Sequence, residues 1–254
     1  VPKIEVAEAA GVGADGRPRP TEDRVVVLDN AVVVLDGATS LRPDLPPGGW
    51  YSGLLAERLA ADLRAEPGAD LAELLAASIT AVARDNALRP RHSPSSTVAL
   101  LRWTEDRVDG LVLADSPIVV SGRDGVDVLS DDRLAMLRDG GELRTVGEVG
   151  ERRNVEGGFW VAEAEPDAAH RAFRRSWSRA SVDAVLLATD GVSVGVDEYG
   201  LFGWPEVFAL ARSGGPAAVL DAVRRAEEGD PHGERWPRFK RHDDQALVHV
   251  DFAE

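Results

Sequence analysis

The run Val32-Val33-Val34-Leu35 constrains this chain more than any other stretch, because four consecutive branched apolar residues leave no solvent face and demand a strand covered on both sides. The run ends abruptly in Asp36-Gly37-Ala38-Thr39-Ser40, so the buried strand delivers one carboxylate to its edge. Two later stretches repeat the theme. Val182 to Ala188 leads into Thr189-Asp190-Gly191, and Asp243-Asp244 precedes the apolar Gln245 to Val250, the acids leading the strand there rather than ending it. Three carboxylates at strand ends form an oxygen-donor set of the kind that holds hard cations.

Composition narrows what such a set can serve. A chain of 254 residues that is 44% hydrophobic can bury a sizeable core, and no Ser/Gly-rich or charged linker divides it, so one domain over 1–254 is expected. The net charge of −15 argues against nucleic acid, whose binding draws on clustered Lys and Arg. It suits an enzyme that concentrates divalent cations, and plain solubility accounts for it equally well. Cysteine is absent, so ligands must be oxygen or imidazole. No apolar run approaches the roughly 20 residues of a membrane span, and the N-terminus lacks a signal pattern; a cytoplasmic protein, or a soluble fragment of a larger one, is expected.

Along the chain, alternation predicts a strand over Lys3 to Ala9, followed by a Gly/Pro/Arg loop to Thr21. Val25 to Leu28 and Ala31 to Leu35, joined at Asp29-Asn30, read as a hairpin buried on both faces. Helical spacing of Leu54, Leu55, Leu59 and Leu63 predicts a helix over Gly49 to Ala65, and Asp70 caps a second one carrying Leu71, Leu74, Leu75, Ile79 and Val82; the two should pack in one layer. Short runs at Thr97 to Trp103, Val108 to Ala114, Ile118 to Ser121 and Val126 to Leu129 suggest an antiparallel meander. Residues 131–158 read as a polar, mobile surface flap with one short helix near Arg133 to Leu137. Phe159 to Ala164 reads as a strand, Asp167 to Ser178 as helix or loop, and Asp183 to Thr189 as the second buried strand. Helices follow over Pro205 to Ala211 and Pro216 to Ala226, then a loop from Gly229 to Arg241 and a last strand, Gln245 to Phe252. Strands, paired helices, then strands mark an α+β layered fold.

Each Asp-Gly pair taken alone is ordinary turn chemistry. Six motifs in order say more: Glu22-Asp23, Asp36-Gly37, Ser96-Thr97, Ala114-Asp115-Ser116, Thr189-Asp190-Gly191 and Asp243-Asp244. By their order and spacing the whole chain resembles the metal-dependent protein phosphatases of the type 2C, or PPM, family. The resemblance implies a four-layer αββα sandwich, two antiparallel β-sheets face to face flanked by paired antiparallel helices. It also implies hydrolysis of phosphoserine or phosphothreonine in proteins by water activated on two Mn²⁺ or Mg²⁺ ions, with no protein nucleophile. Carried over, Asp36 would bridge both ions, the Gly37 carbonyl would bind one, Asp190 and Asp243 would complete the other, and Glu22 would hold a coordinating water. A phosphorylated protein substrate, and through it a Ser/Thr kinase or its targets, would be the partner of a monomer free of membrane and nucleic acid.

Several positions depart from the pattern. Where relatives place a phosphate-binding arginine this chain has Pro18, so Arg17 or Arg19 on either side would take that role. Ala114-Asp115-Ser116-Pro117 keeps the acid that helps bind a third ion, but its usual companion is Val194, leaving a third, weaker site on Asp115 and Asp190. Ala38 stands where many members carry a histidine proposed as general acid. These departures motivate a rival expectation, a degenerate member that binds phosphoproteins or metal without turnover; a third reading keeps the enzyme and changes the target to a small phosphorylated metabolite or a transcription regulator. His92 reads as a surface loop residue, and His242 as a residue that could support a ligand. The arginines at 171, 174, 175 and 179 read as a solvated helix face more readily than as a phosphopeptide dock.

Overall fold

The computed structural model describes residues 1–13, 15–39, 44–143 and 145–253, with Val146 described in its backbone only, so Ser40 of the Val32 stretch lies outside the described residues. Among the described residues, ten strands form two five-stranded sheets in which every strand pairing is antiparallel. The first has the order β2-β3-β4-β5-β8 and is built from β2 (Asp23–Val27), β3 (Ala31–Asp36), β4 (Val98–Trp103), β5 (Arg107–Leu113) and β8 (Phe173–Ser178). The second has the order β1-β10-β9-β6-β7, from β1 (Lys3–Ala9), β10 (Gln245–Asp251), β9 (Val182–Ala188), β6 (Ile118–Gly122) and β7 (Gly125–Leu129).

Period-two alternation sorts the apolar side chains into three core layers between the four layers of backbone. On β3, Val33 and Leu35 pack under α1 (Gly48–Ala65) and α2 (Leu71–Asp85), while Val32 and Val34 face the other sheet. On β9, Val185 and Leu187 face inward, whereas Ala184, Leu186 and Ala188 meet α6 (Trp204–Gly214) and α7 (Pro216–Gly229). Val32 to Leu35 are 0% exposed, and burial at about 2 kcal/mol per side chain makes this strand a main contributor to the stability of the sandwich. Asp70 caps α2 as the sequence suggests, its carboxylate accepting from the N–H groups of Ala72 and Glu73 at 2.9 and 3.2 Å.

Four expectations need correction. The meander is split: β4 and β5 lie in one sheet and β6 and β7 in the other, β6 pairing with β9. The chain changes sheets at Ala114-Asp115-Ser116-Pro117, where Ala114 takes a left-handed φ of 68° and Pro117 has no N–H to extend β5. Of the hairpin expected to be buried on both faces, only β3 is; Val25 and Val26 of β2 are half-buried and Val27 is exposed. Phe159 to Ala164 makes only isolated bridges, Phe159 with Arg153 and Ala162 with Ser96. Asp167 to Ser178 is neither helix nor loop throughout: after a 3₁₀ turn at Pro166–Arg171 it forms β8, so the arginines are not a helix face. Within 131–158, α3 (Arg133–Asp139) is joined by α4 (Val146–Arg152), opened by a Thr145/Glu148 capping box. Leu134, Leu137 and Leu143 pack there with Ala114, Phe159 and Val161 as a small satellite core. Among the described residues no helix is long and apolar enough to cross a membrane.

Candidate metal centre

The acids meet where strands of both sheets end. Asp36 closes β3 opposite Asp23 of β2, and its backbone is clamped from the neighbouring strand: its N–H donates to Thr97 Oγ1 at 3.0 Å, its carbonyl accepts from Thr97 N–H at 2.9 Å and Ser96 Oγ at 2.8 Å. Thr97 Oγ1 in turn lies 2.7 Å from Ser116 Oγ, tying this corner to the turn that carries Asp115. Asp190 follows β9 directly and opens α5 (Asp190–Asp197), a helix the sequence reading did not anticipate. Asp243 precedes β10.

Two glycines allow the close approach. A Cβ on Gly37 would fall 2.5 Å from the Gly48 carbonyl carbon, where α1 begins, and one on Gly191 would fall 1.9 Å from the Asp244 carbonyl oxygen. The Asp-Gly pairs are therefore spaced by backbone contact: the acid points out of the strand end while the glycine lets the next segment pass.

Asp115, Asp190 and Asp243 line one cleft of about 1040 Å³ between α3, α5 and the loop 230–241, and Asp36 lies close to Asp190 without lining the cleft itself. Burial, followed by repulsion from Asp23 and Asp243, pushes the Asp36 carboxyl well above its usual range. Burial, followed by repulsion from Asp36, Asp243 and Asp115, does the same to Asp190. Burial also raises Asp115, against the opposing field of Arg138. Buried carboxyls that repel one another and bind protons more tightly mark an excess of negative charge at this corner.

The neighbouring acids are balanced. Arg19 donates from Nη1 to Glu22 Oε2 and from Nη2 to Asp244 Oδ2 at 2.9 Å, and lies 3.8 Å from Asp243. Burial opposes ionisation of Glu22, but hydrogen bonds from Arg19, Thr39 and the Gly49 N–H outweigh it and hold the carboxyl below its usual value. Asp244, 3% exposed, staples three segments by accepting from Gly11 N–H at 2.7 Å, Glu22 N–H at 3.0 Å and Arg19. Lys240 Nζ donates to Asp243 Oδ1 at 2.6 Å and to Thr39 Oγ1 at 3.0 Å. Asp23 is fully buried, accepts from Thr189 Oγ1 at 2.9 Å through one oxygen and has no hydrogen-bond partner at the other; burial and the Asp190 charge raise its carboxyl strongly. Arg17 stands apart from the acids, exposed and 3.7 Å from Asp15. His242 Nδ1 is 2.7 Å from Glu227 Oε2, away from the Asp36 and Asp190 carboxylates, and His92 pairs with Asp44 at 3.7 Å.

As they stand, no three His, Cys, Asp or Glu side chains among the described residues enclose a point where an ion could sit. The chemistry of the donors nonetheless suits a hard divalent cation: Asp36, Asp190 and Asp115 offer only oxygen, repel one another and have no ion-pair partner among the described residues. Sequence reasoning found Asp36 and Asp190 through the strand-plus-acid pattern and Asp115 through the resemblance of Ala114-Asp115-Ser116 to a family motif. It named Asp23 and Asp244 only within their motifs, without a role, and missed Lys240 and Arg138; the position of Lys240, one turn's length before Asp243, was the available signal for one of them.

No family model and no curated protein sequence matches the chain. Solved structures do. Serine/threonine phosphatase Stp1 from Staphylococcus aureus superposes with a TM-score of 0.63 at 16% identity, covering 99% of this chain and 95% of that one. The Mycobacterium tuberculosis serine/threonine phosphatase PstP/Ppp gives 0.62 at 14%, covering 100% and 99%. The PstP catalytic domain in complex with two manganese ions gives 0.61 at 16%, covering 98% and 97%. With the two five-stranded antiparallel sheets and their outer helices, these likenesses show that the chain has the fold of the metal-dependent, PPM-type Ser/Thr phosphatases.

Proposed function

We propose that this protein is a divalent-metal-dependent phosphatase acting on phosphoserine or phosphothreonine in proteins. One observation carries the reading: Asp190 and Asp115 at the edge of one cleft and Asp36 beside Asp190, all without ion-pair partners among the described residues, crowd one corner of the fold of the bacterial Ser/Thr phosphatases. Asp36, Asp190 and Asp243, with the Gly37 carbonyl, would hold two Mn²⁺ or Mg²⁺ ions, and Asp115 would add to a weaker third site. Such ions, when bound, supply Lewis acidity toward a phosphoryl oxygen and toward water. The chain's own contribution is placement. Thr97 and Ser96 fix the Asp36 backbone, Arg19 holds the Glu22 carboxyl below its usual value beside the site, and the cleft would receive the phosphorylated side chain. The PstP complex with two manganese ions supports the same metal.

A second reading has its own observation. Arg19 and Lys240 already occupy Glu22 and Asp243, as they would in a protein of this fold that binds phosphoproteins or metal without turnover. The experiment is hydrolysis of p-nitrophenyl phosphate and of a phosphothreonine peptide with Mn²⁺ and with EDTA. Metal-dependent turnover lost in Asp36→Asn and Asp190→Asn supports the phosphatase; no turnover above the blank selects the second reading, and full activity in either purified variant contradicts the assignment.

A further inference from the structure

Eight acids besides Glu227 line the cleft: Asp115, Asp131, Asp132, Asp139, Asp190, Asp197, Glu198 and Asp243. A phosphomonoester dianion entering there meets repulsion unless a cation receives it. Three cationic side chains line the same cleft, Arg138, Arg238 and Lys240. Lys240 is held by Asp243 and Thr39. Arg238 is held by Asp230 Oδ2 at 3.0 Å and by the carbonyls of Trp236 and Glu227 at 3.0 and 3.1 Å. Arg19, the sequence's own candidate, is 19% exposed and engaged by Glu22 and Asp244.

Arg138 differs from all of these. It lies in the last turn of α3, is exposed, and its guanidinium makes no hydrogen bond or ion pair among the described residues. Its field nevertheless reaches Asp115 across the cleft. A guanidinium on a helical turn, with its donors unused, matches two oxygens of a phosphoryl group at once. The opposite arrangement, an arginine collapsed onto the nearest of eight acids, would be expected if its only task were to neutralise the wall.

We infer that Arg138 is the residue that captures the substrate's phosphoryl group and positions it over Asp190 and Asp115. This rests on the phosphatase reading for its catalytic consequence but not for its binding consequence. A capture role acts on the ground state and the transition state alike, so its loss raises KM more than it lowers kcat.

The test titrates inorganic phosphate into the Mn²⁺-loaded protein calorimetrically, for wild type, Arg138→Ala, Arg138→Lys and Arg123→Ala, the last removing an equal charge outside the cleft. Arg138→Ala weakens phosphate binding about tenfold or more, Arg138→Lys recovers part of it, and Arg123→Ala binds as wild type. In turnover, Arg138→Ala raises KM for p-nitrophenyl phosphate and for a phosphothreonine peptide by the same factor. Unchanged phosphate affinity in Arg138→Ala, an equal loss in Arg123→Ala, no phosphate binding by wild type, or a KM rise confined to the peptide overturns the inference. If wild type binds phosphate but does not turn over, the phosphatase reading fails while the titration still decides Arg138.

Discussion

Lys240 stands where a divalent ion would have to claim Asp243, and replacing it with methionine, similar in length and uncharged, should tighten metal binding. The ammonium is 2.6 Å from Asp243 Oδ1, with 10% of the lysine side chain and 41% of the aspartate side chain exposed. Separating a fully buried pair costs about 3–5 kcal/mol, and an exposed pair contributes about 0.2–1 kcal/mol. A lysine that is covered and an aspartate that is half open fall between, at about 1–2 kcal/mol. An ion that displaces the ammonium pays that cost in wild type and not in Lys240→Met, so Mn²⁺ affinity should rise about 5- to 30-fold. Isothermal titration of Mn²⁺ into metal-free protein reads this directly, with Lys240→Arg as the variant that keeps the charge and stays weak. Equal or weaker affinity in Lys240→Met would show that Asp243 is not shared between lysine and metal, and would remove Lys240 from the account.

Two further expectations concern the metal-free protein. Asp23, Asp36 and Asp190 hold protons more tightly folded than unfolded, so above the ordinary carboxylate pKa the unfolded chain binds fewer protons and stability falls as pH rises. Melting of the EDTA-treated protein should show this decline from about pH 5 toward pH 8, Asp36→Asn should flatten it, and a decline of equal slope in the variant would contradict the cluster's role. Ala114, at φ 68°, carries left-handed strain of about 1–2 kcal/mol. Ala114→Gly should recover about 0.5–1 kcal/mol of it net of glycine's chain entropy, seen as a Tm rise of about 1–4 °C; a lower Tm would show that the turn is unstrained.

What the sequence made legible is what burial writes into side-chain order. Val32 to Leu35 and Val185 to Leu187 could only be two-sided strands, and each is followed by an acid that the core cannot accept. Lys3–Ala9 and the two Leu-rich helices were readable for the same reason, from a periodic apolar face. β8 was not, because Phe173–Ser178 places Arg174, Arg175 and Ser176 in the open and is held to β5 through backbone pairing. α5 was hidden by Gly191 and Gly195, which read as turn residues but are needed for close packing against Asp244 and Val223. The split between β5 and β6 follows from Ala114 and Pro117, a sheet change that short-range strand spacing does not encode. At the site, the acids were legible one by one. Their partners were not, since Arg19 meets Asp244 across 225 positions and Lys240 meets Thr39 across 201.

The central claim is that Asp36 and Asp190 are brought together to hold divalent cations. Equilibrium dialysis against Mn²⁺ at neutral pH, with bound metal counted per chain, tests it most directly. The account predicts two ions bound by wild type and a loss of binding in both Asp36→Asn and Asp190→Asn. Wild-type protein that retains no Mn²⁺, or variants that retain as much as wild type, would contradict it.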